Sequence, residues 1–216
     1  MKSACYLLAL IFLVSCATSP AIHIPPLVET TAKINCGVIY PQGKWQFVHF
    51  LEFSLANGKK GSAVGVTVIN DPVIECALMT VEGFVLFEAR YDKELKIIRA
   101  VSPFDNEEFA QGLIRDLQLI FFPLSAEDIQ YGKNSDDSRL CRYTKSNGQC
   151  LDVVLSADHG WQIQQYEPDK VSGRTITAKP QAAQTRQWLP PRNLQLTAYG
   201  TVEYTLQMTL ISAEKM

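Results

Sequence analysis

The sequence lacks the patterns that mark several common functions. Basic side chains form no run, since 20 Lys and Arg are spread among 22 Asp and Glu and the formal net charge is −2. Nucleic-acid binding relies on clustered basic side chains, so no nucleic-acid partner is expected. The histidines, His23, His49 and His159, lie far apart, and the cysteines form no C-x-x-C pair. We therefore expect neither a metal site nor a cofactor.

Catalytic motifs are also missing. The glycine-rich stretch GKKGSAVG (58–65) lacks the G-x-x-x-x-G-K-[ST] pattern that cradles phosphate, and it opens a strand-like segment. Ser62 lies in G-S-A-V-G, whereas the nucleophile elbow of hydrolases has the pattern G-x-S-x-G. No nucleophile lies beside a base that would activate it. We assign no catalytic residue and do not expect an enzyme, so an envelope hydrolase is the weakest hypothesis.

The N-terminal apolar run is too short to cross a membrane. Residues 4–14 follow Lys2, whereas a transmembrane helix needs roughly 20 apolar residues. A basic tip before a short apolar segment is typical of a secretory signal peptide, here residues 1–15. Two cleavage patterns fit: the small-x-small site Ser15-Cys16-Ala17, and Leu13-Val14-Ser15-Cys16, which resembles the lipobox of bacterial lipoproteins. The lipobox implies that the Cys16 sulfur receives a diacylglyceryl group, and two or more acyl chains anchor a protein stably.

The rest of the chain divides into a predicted tether and one domain. Residues 16–43 contain Pro20, Pro25, Pro26 and Pro41 and show little periodicity, which is typical of a tether. Residues 44–216 alternate apolar and polar side chains in many short segments. The predicted strands are 45–55, 61–69, 73–80, 84–91, 95–101, 139–144, 149–156, 161–167, 174–178, 193–200 and 202–211. Asn57-Gly58 predicts a tight hairpin turn.

The apolar period changes to 3.6 in the middle of the domain. The spacing predicts a helix over 106–122 with an apolar stripe on one face. Asp105 and Glu108 predict a capping box at its start, and Pro123 predicts its end. The fold class is therefore mainly β (α+β): a strongly curved antiparallel sheet with a helix packed against it.

The cysteine spacing predicts a disulfide. Export places Cys36, Cys76, Cys141 and Cys150 in an oxidising environment, where up to two disulfides form. Cys141 and Cys150 flank a turn-rich segment, which favours a disulfide between these two. Four separate buried thiols are the alternative.

Apolar and aromatic side chains on the strands and the helix form the candidate site. They are either the ordinary core beneath the helix or the lining of a pocket that holds an acyl chain, with the helix as its lid. We predict this pocket between strands 45–55 and 84–91 and the helix. The candidate residues are Phe47, Leu51, Phe53, Val85, Phe87, Tyr91, Phe109, Leu113, Leu117 and Phe121.

Several stretches resemble a family of bacterial outer-membrane lipoproteins of unassigned function. They are the lipobox, the early strand meander, PFDNEEFAQGLIRDLQLIFFPL (103–124) and PPRNLQLTAYGTVEYTLQMTLI (190–211). That family is similar to LolB, the outer-membrane lipoprotein receptor, and the resemblance covers about residues 45–211. It implies a half-open β-barrel closed on one side by helices, with an apolar cavity for acyl chains and no catalysis.

The resemblance also implies a place and partners. It implies a protein anchored through Cys16 at the periplasmic face of the outer membrane. In the resembling lipoproteins an aspartate after the cysteine tends to retain the protein at the inner membrane, whereas Ala17 follows the cysteine here. The ligand is an acyl lipid or a lipoprotein, and a periplasmic carrier protein is a candidate partner. LolB-like proteins carry a leucine on a protruding loop, whereas the matching turn 80–83 offers Val81. The alternative is a non-catalytic structural or assembly partner in a cell-envelope complex, because a concave apolar face also holds a peptide or a protein edge.

Overall fold

The computed structural model describes residues 24–134, 136–168, 173–179, 188–200 and 203–216. The predicted signal peptide 1–15 and Cys16 lie outside the described residues. One antiparallel sheet of 13 strands packs on helix α1 (Glu107–Phe121). The strands are β1 (Val28–Glu29), β2 (Trp45–Leu55), β3 (Lys60–Asn70), β4 (Val73–Met79), β5 (Val85–Asp92), β6 (Glu94–Ala100), β7 (Asp128–Lys133), β8 (Arg139–Thr144), β9 (Cys150–Leu155), β10 (Trp161–Tyr166), β11 (Gly173–Ala178), β12 (Asn193–Tyr199) and β13 (Tyr204–Lys215). No helix in the described part of the chain is long and apolar enough to cross a membrane.

Two strand meanders join into this one sheet. The strand order is β1-β7-β8-β9-β10-β11-β12-β13-β2-β3-β4-β5-β6. The last strand of the chain, β13, pairs with the first long strand, β2, and this pairing unites the two meanders. The end strands β1 and β6 are not paired with each other, so the sheet is not closed.

The predicted strands are confirmed closely, with three differences. Strand β1 was not predicted, because it lies in the segment that was interpreted as a tether. Strand β7 was not predicted, because its sequence DIQYGK hardly alternates between apolar and polar residues. Strand β13 continues past the predicted end at Ile211, since a bulge between Leu210 and Ser212 restores its pairing with β2. The predicted turn at Asn57-Gly58 is confirmed, and Gly58 has a φ of 81°, which favours glycine.

Helix α1 is confirmed, but its predicted cap is wrong by one residue. The Asn106 side chain accepts a hydrogen bond from the Phe109 N–H at 2.7 Å, so Asn106 and not Asp105 caps the helix. Glu107 and Glu108 then occupy the first turn, where carboxylates favour the positive end of the helix dipole. The helix ends before Pro123, as predicted.

The predicted tether 16–43 is attached to the domain over its described part, 24–43. Strand β1 pairs with β7, and the Pro25 carbonyl accepts a hydrogen bond from the Arg142 guanidinium at 2.9 Å. Further along, the 3₁₀ turn Cys36–Ile39 and Tyr40 are largely buried on the inner face of the sheet. Lack of periodicity predicted a free segment, but irregular backbone also packs when its side chains are covered.

The predicted disulfide between Cys141 and Cys150 is wrong. Cys36 is bonded to Cys141, while Cys150 and Cys76 are free and buried. The register of β8 and β9 pairs Cys141 with Val153 and Thr144 with Cys150. Successive side chains of a strand alternate between its faces, so Cys141 and Cys150 point to opposite faces of the sheet.

Candidate functional site

Aromatic side chains from the sheet, the helix and the segment before β12 meet at the C-terminal end of α1. The Phe47 ring stacks on the Phe121 ring with 4.8 Å between the centroids. Trp45 meets Trp188 edge-on at 5.1 Å, and the Trp188 indole N–H donates to the Ile39 carbonyl at 3.2 Å. Aromatic pairs stabilise packing by about 0.5–1.5 kcal/mol beyond their buried area. These contacts hold β2, α1 and the 3₁₀ turn together.

The aromatic pocket is the cavity that these side chains enclose. The side chains nearly fill it: the space open to a water-sized molecule is only about 10 Å³, within a crevice of about 280 Å³ that includes open solvent. Its lining is Ile39, Pro41, Phe47, His49, Ile120, Phe121, Trp161, Trp188, Pro190, Pro191 and Leu194. The mouth cleft, of about 590 Å³ counted in the same way, adjoins the pocket and shares Ile39, Trp161, Trp188 and Pro191 with it. The lining is apolar in the pocket and more polar in the cleft, and an acyl chain would fit inside only after the packed side chains move apart.

His49 is the titratable side chain in the pocket lining. It is 2 % exposed, and its ring lies 6.2 Å from the Phe47 ring and 6.3 Å from the Phe121 ring. Burial lowers the pKa of His49 to about 4, because the charged form loses its hydration. The imidazole is therefore neutral at pH 7, and it adds no charge to the pocket.

A buried polar network fixes the middle of α1 to the sheet. The Arg174 Nε of β11 donates to Asp116 Oδ1 at 2.6 Å, and the Tyr204 hydroxyl of β13 donates to the other carboxylate oxygen. Burial raises the pKa of the Asp116 carboxyl, and the Arg174 guanidinium opposes that rise. Strands β11 and β13 therefore hold the middle of α1 through one carboxylate.

The predicted site residues are divided between the pocket and the rest of the core. Phe47 and Phe121 line the aromatic pocket. Phe87 is fully buried and meets the Phe109 ring edge-on at 5.3 Å. The predicted space between the helix and strands 45–55 and 84–91 is thus filled by direct contact at Phe87, because the rings reach each other across the interface.

The other predicted site residues lie in the core or at its margin. Leu51 lies over Gly65 of β3, and a Cβ added to Gly65 would come within 2.8 Å of the Leu51 side chain. Phe53 lies over Gly61 in the same way, at 2.4 Å. Leu117 is buried, while Val85, Tyr91 and Leu113 are partly exposed. The glycines leave room for large side chains on β2 rather than space for a ligand.

The turn between β4 and β5 presents apolar side chains to solvent. The predicted turn 80–83 is confirmed, since the Gly83 N–H donates to the Thr80 carbonyl at 2.9 Å. Val81 is 65 % exposed and Phe84 is 60 % exposed. Phe84 directly follows the predicted turn and supplies a large apolar group that the turn itself lacks.

Sequence reasoning missed Ile39, Trp161 and Trp188 as pocket residues. Ile39 was placed in the tether, and Trp161 begins a strand that was predicted without a role. Trp188 precedes Leu189-Pro190-Pro191, an irregular segment with no periodicity to place it. The sequence feature that could have indicated Trp188 is its place as a large aromatic residue two positions before Pro190-Pro191, shortly before the final hairpin.

Comparison with solved structures shows a LolA-like fold. A LolA superfamily protein from Nitrosomonas europaea aligns with a TM-score of 0.55 and 10% sequence identity, over 84% of this chain and 90% of that chain. A domain from Vibrio parahaemolyticus, described as an outer membrane lipoprotein-sorting protein domain, aligns with a TM-score of 0.46 and 11% identity, over 83% and 88%. No protein-family model and no curated protein matches the sequence. At this identity the first likeness shows the fold alone.

Proposed function

We propose that the protein is a non-catalytic lipid-binding protein that takes acyl chains, or the acylated end of a lipoprotein, into its aromatic pocket. The observation that carries this proposal is the pocket itself, which is lined mostly by aromatic and aliphatic side chains and shares four lining residues with a more polar cleft. Ligand sites are typically concave and largely apolar, with a few polar groups that orient the ligand. The LolA-like fold supports the same function.

The finer form of this proposal treats the fold as a half-open β-barrel with α1 as its lid. The Phe47–Phe121 stack closes the pocket on the helix side. An acyl chain enters when the C-terminal end of α1 shifts away from the sheet. The acyl chain then replaces part of the contact between Phe47 and Phe121. The Asp116 network keeps the middle of the helix on the sheet during the shift. The predicted site residues on β5, which are Val85, Phe87 and Tyr91, do not contact the ligand in this proposal. They pack in or beside the core and stabilise the sheet while the helix shifts.

We further propose that Cys16 carries the lipid anchor and holds the domain at the periplasmic face of the outer membrane. Cys16 precedes Pro25 by nine residues in the sequence, and the Pro25 carbonyl accepts a hydrogen bond from Arg142. A periplasmic carrier protein is the partner that would deliver an acylated cargo. Cys16→Ser followed by fractionation tests the anchor: the variant is expected in the soluble periplasmic fraction, and normal maturation at the membrane would refute it.

A brominated fatty acid tests the pocket directly. Trp45, Trp161 and Trp188, which are all the tryptophans of the chain, lie in or beside the aromatic pocket. Bromine quenches indole fluorescence on contact, so the full chain carrying Cys16→Ser is expected to lose much of its emission when the probe binds. Unlabelled fatty acid should restore the emission by competition.

A control variant away from the pocket sharpens this experiment. Phe84→Ala removes an exposed apolar side chain at the distant β4–β5 turn and should leave the quenching unchanged. Binding without quenching would place the ligand elsewhere, and absence of binding would contradict the proposal.

The second candidate, a structural or assembly partner, is favoured by the direct packing of Phe87 on Phe109, and it predicts no acyl binding at all.

A further inference from the structure

Basic side chains surround the mouth of the aromatic pocket. The mouth cleft is lined by Arg139, His159 and Lys179, in addition to the residues that it shares with the pocket. Arg139 and Lys179 are exposed, and neither forms an ion pair within the described part of the chain. The chain as a whole has a formal net charge of −2, so this local excess of positive charge does not follow from its composition.

The two cations come from distant strands and both line the mouth cleft. Arg139 pairs with Leu155, Leu155 with Trp161, and Trp161 with Ala178, which precedes Lys179. These four positions form one row across four neighbouring strands, and strands lie about 4.8 Å apart, so the row spans roughly 14 Å. Arg139 lies at one end of this row and Lys179 directly follows its other end, and both residues line the cleft between them.

The acidic residues near the mouth do not cancel this charge. Asp158 lies in the turn between β9 and β10, where its carboxylate accepts the Gly160 N–H at 3.2 Å. Asp137 lies near the start of β8 and is ion-paired with Lys133 at 2.6 Å. Among the described lining residues of the mouth cleft, Arg139, His159 and Lys179 are basic and none is acidic.

The bottom of the site excludes charge, whereas its mouth attracts negative charge. Trp161 and Trp188 line both cavities, so a molecule that extends from the pocket into the cleft contacts these rings. We propose that the ligand is an anionic amphiphile: its acyl chain occupies the aromatic pocket, and its carboxylate or phosphate lies between Arg139 and Lys179. This inference rests on the proposed acyl-binding function and names the class of head group that the site selects.

The chemistry of the two cations supports both anionic head groups. The Arg139 guanidinium has a planar set of donors that matches carboxylate and phosphate oxygens, and the Lys179 ammonium acts as a point charge. An uncharged alcohol or ester of the same chain length gains only the apolar contacts. Because the mouth is open to solvent, the preference for an anion should weaken as salt concentration rises.

Competition among matched lipids tests the inference. Palmitic acid, hexadecyl phosphate and hexadecanol have alkyl chains of the same length and differ in head group. Each is tested for displacement of the brominated probe from the full-length protein carrying Cys16→Ser. We expect at least one of the two anions to bind about tenfold more tightly than the alcohol, which corresponds to about 1.4 kcal/mol. The double variant Arg139→Gln and Lys179→Gln should remove this difference and leave hexadecanol binding unchanged. Lys59→Gln with Lys60→Gln, two exposed lysines on the β2–β3 hairpin, is the matched control and should retain it.

Each result separates the inference from the proposed function. A preference for the phosphate supports the inference and assigns a lipid phosphate, while a preference for the carboxylate supports it and assigns a free fatty acid. Equal binding of the anions and the alcohol, unaffected by the double variant, would overturn the inference and leave the acyl-binding function standing. Failure of every probe to bind would overturn both.

Discussion

Phe47 of β2 and Phe121 of α1 stack nearly in parallel, with an interplanar angle of 12°, and their contact joins the sheet, the helix and the aromatic pocket. Both rings are buried, at 1 % and 5 % exposure. A ligand in the pocket must compete for the surface that these rings share. The stability of this contact therefore opposes ligand entry, and weakening it should favour binding.

Phe121→Leu is expected to enlarge the pocket and to increase affinity for the brominated acyl probe. The change conserves apolar character, so the free energy of unfolding should fall by only about 1 kcal/mol. Phe87→Leu is the matched control, because it makes the same chemical change at a buried ring that does not line the pocket. It should reduce stability by a similar amount without changing affinity. Equal effects of both variants on binding would show that the pocket has been misplaced.

Loss of the Cys36–Cys141 disulfide is expected to destabilise the domain. The bridge closes a loop with a sequence separation of 105, and such loops contribute roughly 2–5 kcal/mol by restricting the unfolded chain. The double variant Cys36→Ser and Cys141→Ser should show this loss in urea unfolding, whereas Cys150→Ser should leave the bridge in place. Mass spectrometry of a non-reduced digest checks the pairing, and a peptide that joins Cys141 to Cys150 would contradict it.

Asp116→Ala should be among the most damaging single substitutions in α1. It leaves the Arg174 guanidinium, 17% exposed, without the carboxylate that it contacts at 2.6 Å. An uncompensated buried charge costs roughly 3–5 kcal/mol, and urea unfolding measures this loss. Replacing both partners, with Asp116→Leu and Arg174→Met, should recover most of the stability. Asp137→Ala, which breaks the exposed pair with Lys133, should change stability by less than about 1 kcal/mol.

His49 should make the domain less stable in mild acid. Its pKa is lowered to about 4 in the folded chain, against about 6.5 in an unfolded chain. Between these values the unfolded chain binds the proton that the folded chain excludes, so stability falls as the pH drops from about 6.5 to about 4. The full effect is roughly 3 kcal/mol, and below pH 4 this group adds no further loss.

Urea unfolding across this pH window measures the contribution of His49. His49→Leu should flatten the pH dependence between about 4 and 6.5, because it removes the titrating group. Phe87→Leu, which removes no titrating group, is the control and should leave the slope intact. An unchanged slope in His49→Leu would show that other groups cause the acid sensitivity.

The sequence by itself determined the local elements of this protein. Alternating apolar residues over 45–55 and 193–199, and the 3.6 period over 107–121, place strands and a helix wherever one face must be buried. Asn57-Gly58 supplies the conformation that a tight hairpin needs, so that connection also follows from local chemistry. Neighbouring residues carry these signals, and for this reason nearly every predicted element is confirmed.

Only the tertiary structure decided which distant elements meet. Cys36 reaches Cys141 because the segment after β1 crosses to the inner face of the sheet, and the strand alternation that turns Cys150 away became visible only once the register was known. Trp188 closes the aromatic pocket from an irregular segment, where no period indicates which way a side chain points. Phe87 has the same apolar pattern as Phe47, yet one ring fills the core and the other lines a cavity, because the helix position sets how much space remains beside each. Local patterns record that a side chain is buried, whereas its partner and the free volume around it are properties of the assembled fold.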